Sequence, residues 1–214
     1  MSMNRIISLI RNEEKEFITT DELKPYSKRF YYNSNNVINY LLGQGDIIKI
    51  LNDLYYIKSN NEIESKIHKY SLLEIVSKAL SLRKIVNWYF GLYTALKLNN
   101  ISTDHDNDLF YVFNDMFFRN EPINIAGYPF KFFKFRIASH SFGIRTNKVN
   151  YSDLERTILD FIYIQMNNRI HEQRIINFIS KYMKGISIEK ILSYAQYYPE
   201  QLINILQLAI SNTK

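Results

Sequence analysis

The stretch FITTDELKPYSKRFYYNSNNVINYLLGQGDIIKILNDLYYIKS, residues 17–59, carries the local signals from which the N-terminal fold is read. Thr19, Thr20, Asp21 and Glu22 form a capping box: the Thr19 hydroxyl accepts from the amide three residues on while Glu22 reaches back, so a helix starts here. Pro25 lacks an amide and costs about 3 kcal/mol deep inside a helix, which predicts a short helix or one ending near Pro25. Ser34 is the expected N-cap of the next helix, Val37, Ile38, Leu41 and Leu42 form its inner stripe, and Gly43 is expected to end it. Two β-rich runs, IIKIL and LYYIK, then meet at Asn52-Asp53, residues that tolerate the positive φ of a tight hairpin turn.

Upstream, Ile6, Ile7 and Ile10 share one face of a helix over residues 3–11. Helix, helix, helix and hairpin in this order are the layout of a winged helix-turn-helix, a DNA-binding module, expected over residues 1–60. Residues 26–33 leave a connector longer than the three or four residues common in this motif, so either the first core helix runs past Pro25 or the turn is elaborated. The outer face of the second core helix offers Asn35, Asn36 and Asn39, amides that pair with adenine edges or phosphates and that equally serve as helix-start caps. Lys28, Arg29 and Tyr31 in the connector, Ser34 at the helix start, and Lys49, Asn52 and Lys58 on the hairpin complete the candidate DNA-binding set. Tyr31 and its neighbour Tyr32 are equally readable as core.

Charge permits this reading without establishing it. The chain of 214 residues carries a net +6, yet residues 1–60 hold eight Lys or Arg against seven Asp or Glu, a surplus of one. At 46% apolar and 15% aromatic the chain can bury a substantial core. It has no Cys, which excludes a disulfide framework and cysteine-based zinc or redox sites and fits a reducing, cytoplasmic setting. The opening MSMNRIISLIR has too short an apolar run for a signal peptide, and no stretch reaches the 18 or so apolar residues of a membrane span, so no membrane partner is expected.

Residues 61–69, NEIESKIHK, are polar enough for a linker or the start of a helix, and the boundary to a second, mixed α/β domain over 70–214 is placed here. Helical patterns at 72–82 and 88–98 precede aromatic-rich strands at 109–114, 123–137 and 142–149, expected to form an antiparallel sheet with Gly127 in a hairpin turn. Between Pro122 and Ser152 there is no carboxylate, while Lys131, Lys134, Arg136, Arg145 and Lys148 gather positive charge, expected on one sheet surface and read as a candidate partner-binding patch. Ser152 and Glu155 read as a capping box for a helix lined by Leu154, Ile158, Leu159 and Ile162, whose charged Asp153, Glu155, Arg156 and Asp160 support structure. Helices at 170–184, 187–198 and 199–212 follow as a C-terminal helical cap, with Pro199 opening the last. The fold class is therefore α+β: an N-terminal winged helix-turn-helix, then a mixed domain closed by helices.

Three stretches resemble one family. WYFGLYTALKLNNIS at 88–102 looks like the aromatic-Gly/Ser-x-x-x-Ala-Leu helix of AbiEi-type antitoxins. SFGIRTNKVNYSDLERTILDFIY at 141–163 is similar to the stretch that ends in their Asp/Glu-Arg-Thr-hydrophobic-hydrophobic-Asp helix, with Glu155, Arg156, Thr157 and Asp160 in those positions. GDIIKILNDLYYI resembles their wing, where members often carry Gly in the place of Asp53. The resemblance implies a DNA-binding antitoxin that acts as an autorepressor in a toxin-antitoxin system, binding inverted repeats in double-stranded promoter DNA. Its implied second partner is an AbiEii-type nucleotidyltransferase toxin. A stand-alone winged-helix transcriptional regulator is the alternative.

An enzyme is not expected. His68, His105, His140 and His171 are scattered, with no HExxH and no Cys partner, so no metal or cofactor site is read. Asp104, Asp106, Asp108 and Asp115 mimic a calcium loop, but Leu109 stands where the turn needs Gly. Glu62, Glu64 and Lys66 have the Glu-x-Lys spacing of metal nucleases without a preceding carboxylate to complete it, which leaves a metal-dependent nucleic-acid enzyme as the least favoured reading. No P-loop, dinucleotide fingerprint or Gly-x-Ser-x-Gly occurs among the 6 glycines.

Overall fold

A computed structural model describes residues 3–102, 108–135 and 142–212. It divides into two compact units, Met1–Lys84 with Asn124–Tyr128, and Ile85–Ile123 with Pro129–Lys214. Residues 61–69, expected as a linker, lie inside the first unit.

The first unit begins with α1 (Asn4–Asn12), β1 (Phe17–Thr19), α2 (Thr20–Arg29) and α3 (Ser34–Gln44). The hairpin β2 (Ile47–Leu51) and β3 (Leu54–Ile57) follows, and then α4 (Asn60–Ser65) and α5 (Leu72–Leu82). The strands form an antiparallel sheet in the order β1-β3-β2. One apolar face per helix closes over it: Ile6, Ile7 and Ile10 from α1, Leu23 from α2, and Val37, Ile38 and Leu41 from α3 pack with Ile18, Ile47, Tyr55 and Ile57. Each such aliphatic side chain contributes about 1.5–3 kcal/mol on burial. Of the two readings of this segment, linker or helix start, the helix holds for its first part: α4 forms because Ser59 and Glu62 make a capping box, and the Glu62 carboxylate also accepts from the buried Tyr56 hydroxyl at 2.9 Å and the Lys69 amide at 3.0 Å.

The second unit contains β4 (Trp88–Phe90), α6 (Leu92–Leu98), β5 (Phe110–Asn114), β6 (Ile123–Ile125), β7 (Tyr128–Lys134), β8 (Ile144–Asn147) and β9 (Val149–Ser152), apart from the residues at the β6–β7 turn that belong to the first. Four helices complete it: α7 (Leu154–Asn167), α8 (Glu172–Ser180), α9 (Ile188–Ala195) and α10 (Glu200–Asn212). The strand order is β6-β7-β5-β4-β9-β8. This sheet is mixed, not antiparallel as expected, because β5 pairs in parallel with β7 and β4 in parallel with β9. Alternation in a sequence reveals a strand; it does not reveal the direction of its partner.

Trp88, Tyr89 and Phe90, read from the sequence as the start of a helix, are a fully buried strand. Gly91 then separates strand from helix: a Cβ there would overlap the Phe113 ring, which stacks on Tyr89 with centroids 5.1 Å apart. The core of this unit joins Tyr89, Leu92, Leu96 and Phe113 to Ile158, Leu159 and Ile162 of α7 and to Ile175, Ile179, Leu202 and Leu206 of α8 and α10. The expected Ser152 capping box is corrected by one residue. Asp153 is the N-cap, accepting from the Arg156 amide at 3.0 Å, while the Ser152 hydroxyl lies 2.7 Å from that of Thr157. Among the described residues no helix is long and apolar enough to cross a membrane.

Candidate nucleic-acid interface

The α2–α3 pair is assembled from its caps. The Glu22 amide donates to Thr19 Oγ1 at 3.2 Å and the Thr19 amide to Glu22 Oε2 at 2.7 Å, the reciprocal pair expected from the sequence. Leu23 and Ser27 are buried beneath α2, and the Ser27 hydroxyl donates to the Leu23 carbonyl at 3.1 Å. Pro25 sits within the helix rather than at its end. Its missing donor would have faced the Asp21 carbonyl, and both residues lie on the exposed side, where the lost bond costs least. The helix therefore continues to Arg29, and the connector shrinks to residues 30–33, the four-residue length of a compact helix-turn-helix.

Two caps around α3 differ from expectation. The N-cap is Asn33, whose Oδ1 accepts from the Asn35 amide at 2.9 Å, so Ser34 is the first helical residue instead. Asn fills the cap position as well as Ser does, so the two neighbours compete for it and Asn33 holds it. At the other end Gly43 stays helical, and the left-handed closing position falls on Gly45, with φ 74°. Val37, Ile38 and Leu41 are buried, which leaves Asn35, Asn36, Asn39 and Gly43 as one exposed stripe.

Lys28, Arg29, Tyr31, Asn35, Asn36 and Asn39 are all exposed, and Ser34 is half-buried. Chain order places them together at the α2 end, the turn and the α3 face. Among the described residues no side chain pairs with Lys28 or Arg29, whereas Lys24 is held by Asp21 at 2.6 Å and Lys15 by Glu13 at 3.0 Å. The hairpin turns at Asn52-Asp53 as expected, with Leu51 opposite Leu54 and Asp53 at φ 56°. Its turn is anchored: the Thr20 hydroxyl donates to Asp53 at 3.3 Å and Arg83 donates to the Asn52 carbonyl. Lys49 is exposed in the middle of β2. Lys58 is half-buried at the opposite end of the hairpin from Asn52, where its amide donates to Asp46 and its carbonyl accepts from Arg11. The two hairpin residues thus do not share a tip.

The described members of the basic set, Lys131, Lys134, Arg145 and Lys148, are not gathered on neighbouring strands. Lys131 and Lys134 lie on β7 and Arg145 on β8, with β5, β4 and β9 between those strands; Lys148 is in the β8–β9 turn. A stretch of sequence free of carboxylates spreads its cations over the sheet because β7 and β8 are not neighbours. Lys131 donates to the Asn120 carbonyl and its ammonium lies 5.9 Å from the centre of the Phe133 ring. Arg136, His105, His140, Asp104 and Asp106 lie outside the described residues. Among the described residues no group of three or more His, Asp or Glu side chains could hold a metal ion.

The resemblance residues Glu155, Arg156, Thr157 and Asp160 are all buried, as side chains that support structure should be. The Arg156 guanidinium is sandwiched 4.2 Å from the Tyr89 ring centre and 4.3 Å from that of Phe142. Asp160 accepts from the hydroxyls of Tyr89 at 3.0 Å and Tyr198 at 2.7 Å. Burial pushes its carboxyl up to about 6, against the opposing pull of Arg156 and of the two hydroxyls. Glu155 is driven upward by burial, but Lys190 at 2.9 Å and the Ser187 amide outweigh this and hold it below its ordinary range. Lys190 also reaches Asp153 at 2.9 Å, so α9 is clasped to the start of α7. The tyrosine partners of this cluster come from β4 and from the α9–α10 turn, far apart in sequence, and no local pattern announces them.

No family model and no curated protein matches the sequence. In fold the chain is similar to the RV2827C protein from Mycobacterium tuberculosis, known from a crystal structure: the TM-score is 0.59 at 8% identity, over 98% of this chain and 76% of that one. At that identity the likeness is one of fold, and it supports an α+β architecture.

Proposed function

We propose that the first unit carries a winged helix-turn-helix that binds double-stranded DNA through α2, the turn and α3. The observation that carries this reading is the four-residue connector between two capped helices, which leaves Lys28, Arg29, Asn35, Asn36 and Asn39 exposed on one side and a closed apolar core on the other. Lys28 and Arg29 supply phosphate partners, and the asparagine stripe supplies paired donors and acceptors for base edges. In this reading the hairpin β2–β3 is the wing, with Lys49 and Asn52 as its exposed contacts, and Lys58 plays no part at the tip.

Together with the resemblance of Glu155, Arg156, Thr157 and Asp160 to the AbiEi helix, this supports reading the chain as a non-enzymatic antitoxin that represses its own promoter and counteracts a nucleotidyltransferase-like toxin. Promoter binding is tested by titrating labelled duplex that spans the upstream region of the gene. The antitoxin role is tested separately: expression of the adjacent gene alone arrests growth, and co-expression of this chain restores it. A harmless neighbour with intact promoter binding replaces the antitoxin by a stand-alone regulator.

A further inference from the structure

Tyr31 stands in the α2–α3 turn with its residue surface 98% exposed and its backbone at φ 60°. The Tyr31 amide donates to the Lys28 carbonyl at 3.0 Å, and the next amide, that of Tyr32, donates to the Ser27 carbonyl at 2.9 Å. This is a Schellman closure with Tyr31 at the left-handed position, where glycine is the usual residue because a Cβ there crowds the following carbonyl. Other non-glycine residues of the chain adopt positive φ, but they are polar or charged, or small like Ala126, or buried like Leu92. Among the described residues only Tyr31 combines that backbone with an aromatic ring given wholly to solvent. Among the described residues no contact of the ring offsets these two costs, the left-handed backbone and the exposed ring, while its neighbours Phe30 and Tyr32 pack on the core.

The surroundings define what would repay them. Exposed Lys28 and Arg29, the last two residues of α2, precede Tyr31, and the exposed Asn35 and Asn36 lie in the first turn of α3. We propose that Tyr31 seats the module on the sugar-phosphate backbone of the bound duplex, with its ring against a deoxyribose and its hydroxyl donating to a phosphate oxygen beside those neutralised by Lys28 and Arg29. The inference deepens the DNA-binding reading and rests on it. A backbone contact carries no sequence information, so its loss weakens every duplex alike.

The test measures the binding of full-length wild type, Tyr31→Gly and Tyr31→Phe to the promoter duplex and to a scrambled duplex of equal length, with thermal melting of each protein alongside. Tyr31→Gly relieves the left-handed strain and removes no packed atoms, so it melts no lower than wild type. It binds both duplexes about tenfold more weakly with their affinity ratio unchanged, as befits a lost hydrogen bond to a charged oxygen. Tyr31→Phe, which keeps the ring, falls between the two. Wild-type affinity in Tyr31→Gly overturns the role of Tyr31 while leaving DNA binding intact. Weakening confined to the promoter duplex overturns it in favour of base readout, and a lowered melting temperature assigns the tyrosine to the fold. Failure of wild type to bind either duplex overturns the DNA-binding reading and this inference together.

Discussion

The hydroxyl of Tyr198 donates to the carboxylate of Asp160 at 2.7 Å, with both residues buried, and so ties the α9–α10 turn to the middle of α7. A hydrogen bond to a carboxylate contributes about 1.5–3 kcal/mol. Tyr198→Phe removes the donor and little volume, so the stability measured by urea unfolding falls by that amount. An unchanged midpoint would show that the Tyr89 hydroxyl alone serves Asp160.

The same carboxyl gives the protein a characteristic pH response. Because the Asp160 value in the fold is raised to about 6 from an ordinary 3.8, the folded state binds its proton more readily than the unfolded one. Its contribution is therefore most favourable at low pH, declines as pH rises from about 4 to about 6, and is level above that. Asp160→Asn, which stays neutral and still accepts from the tyrosines, removes this slope from a plot of unfolding free energy against pH. Retention of the slope in Asp160→Asn would place its origin elsewhere.

Glu16 works in the opposite direction. Partial burial raises its carboxyl, but Lys69 at 2.6 Å, Tyr70 at 2.6 Å and Lys78 at 3.2 Å prevail and lower it to about 2. The stability it contributes is present above about 4.5 and is lost as pH falls towards 2. Glu16→Gln is thus less stable than wild type at neutral pH, and the two converge near pH 2. Parallel curves down to that pH would contradict the assignment.

Gly91→Ala places a methyl group on the Phe113 ring and costs about 1–3 kcal/mol, read as a lowered melting temperature. A melting temperature equal to wild type would mean that the ring moves aside without cost.

Features written in adjacent residues were legible in the sequence. The Thr19–Glu22 capping box and the Asn52-Asp53 turn each need only a few neighbouring side chains, and both stand where they were read. Caps that compete with equally good neighbours slipped by one place, as at Asn33 beside Ser34 and Asp153 beside Ser152. Trp88–Phe90 misled because a short, fully buried apolar run has no period of its own. The basic residues of β7 and β8 misled for a different reason: closeness in sequence says nothing of strand order. The exposed stripe of α3 was legible from its inner stripe, while the left-handed backbone under Tyr31 was not, since glycine, its usual signal, is absent there.

DNA binding by the α2–α3 face is tested most directly by fluorescence anisotropy on the promoter duplex with wild type, Arg29→Ala and Asn36→Ala. Wild type binds, and each variant, with its melting temperature unchanged, loses about 1–3 kcal/mol of binding free energy; the loss in Arg29→Ala extends to every duplex, while that in Asn36→Ala is larger for the promoter. Equal affinity of all three proteins would remove this face from the interface.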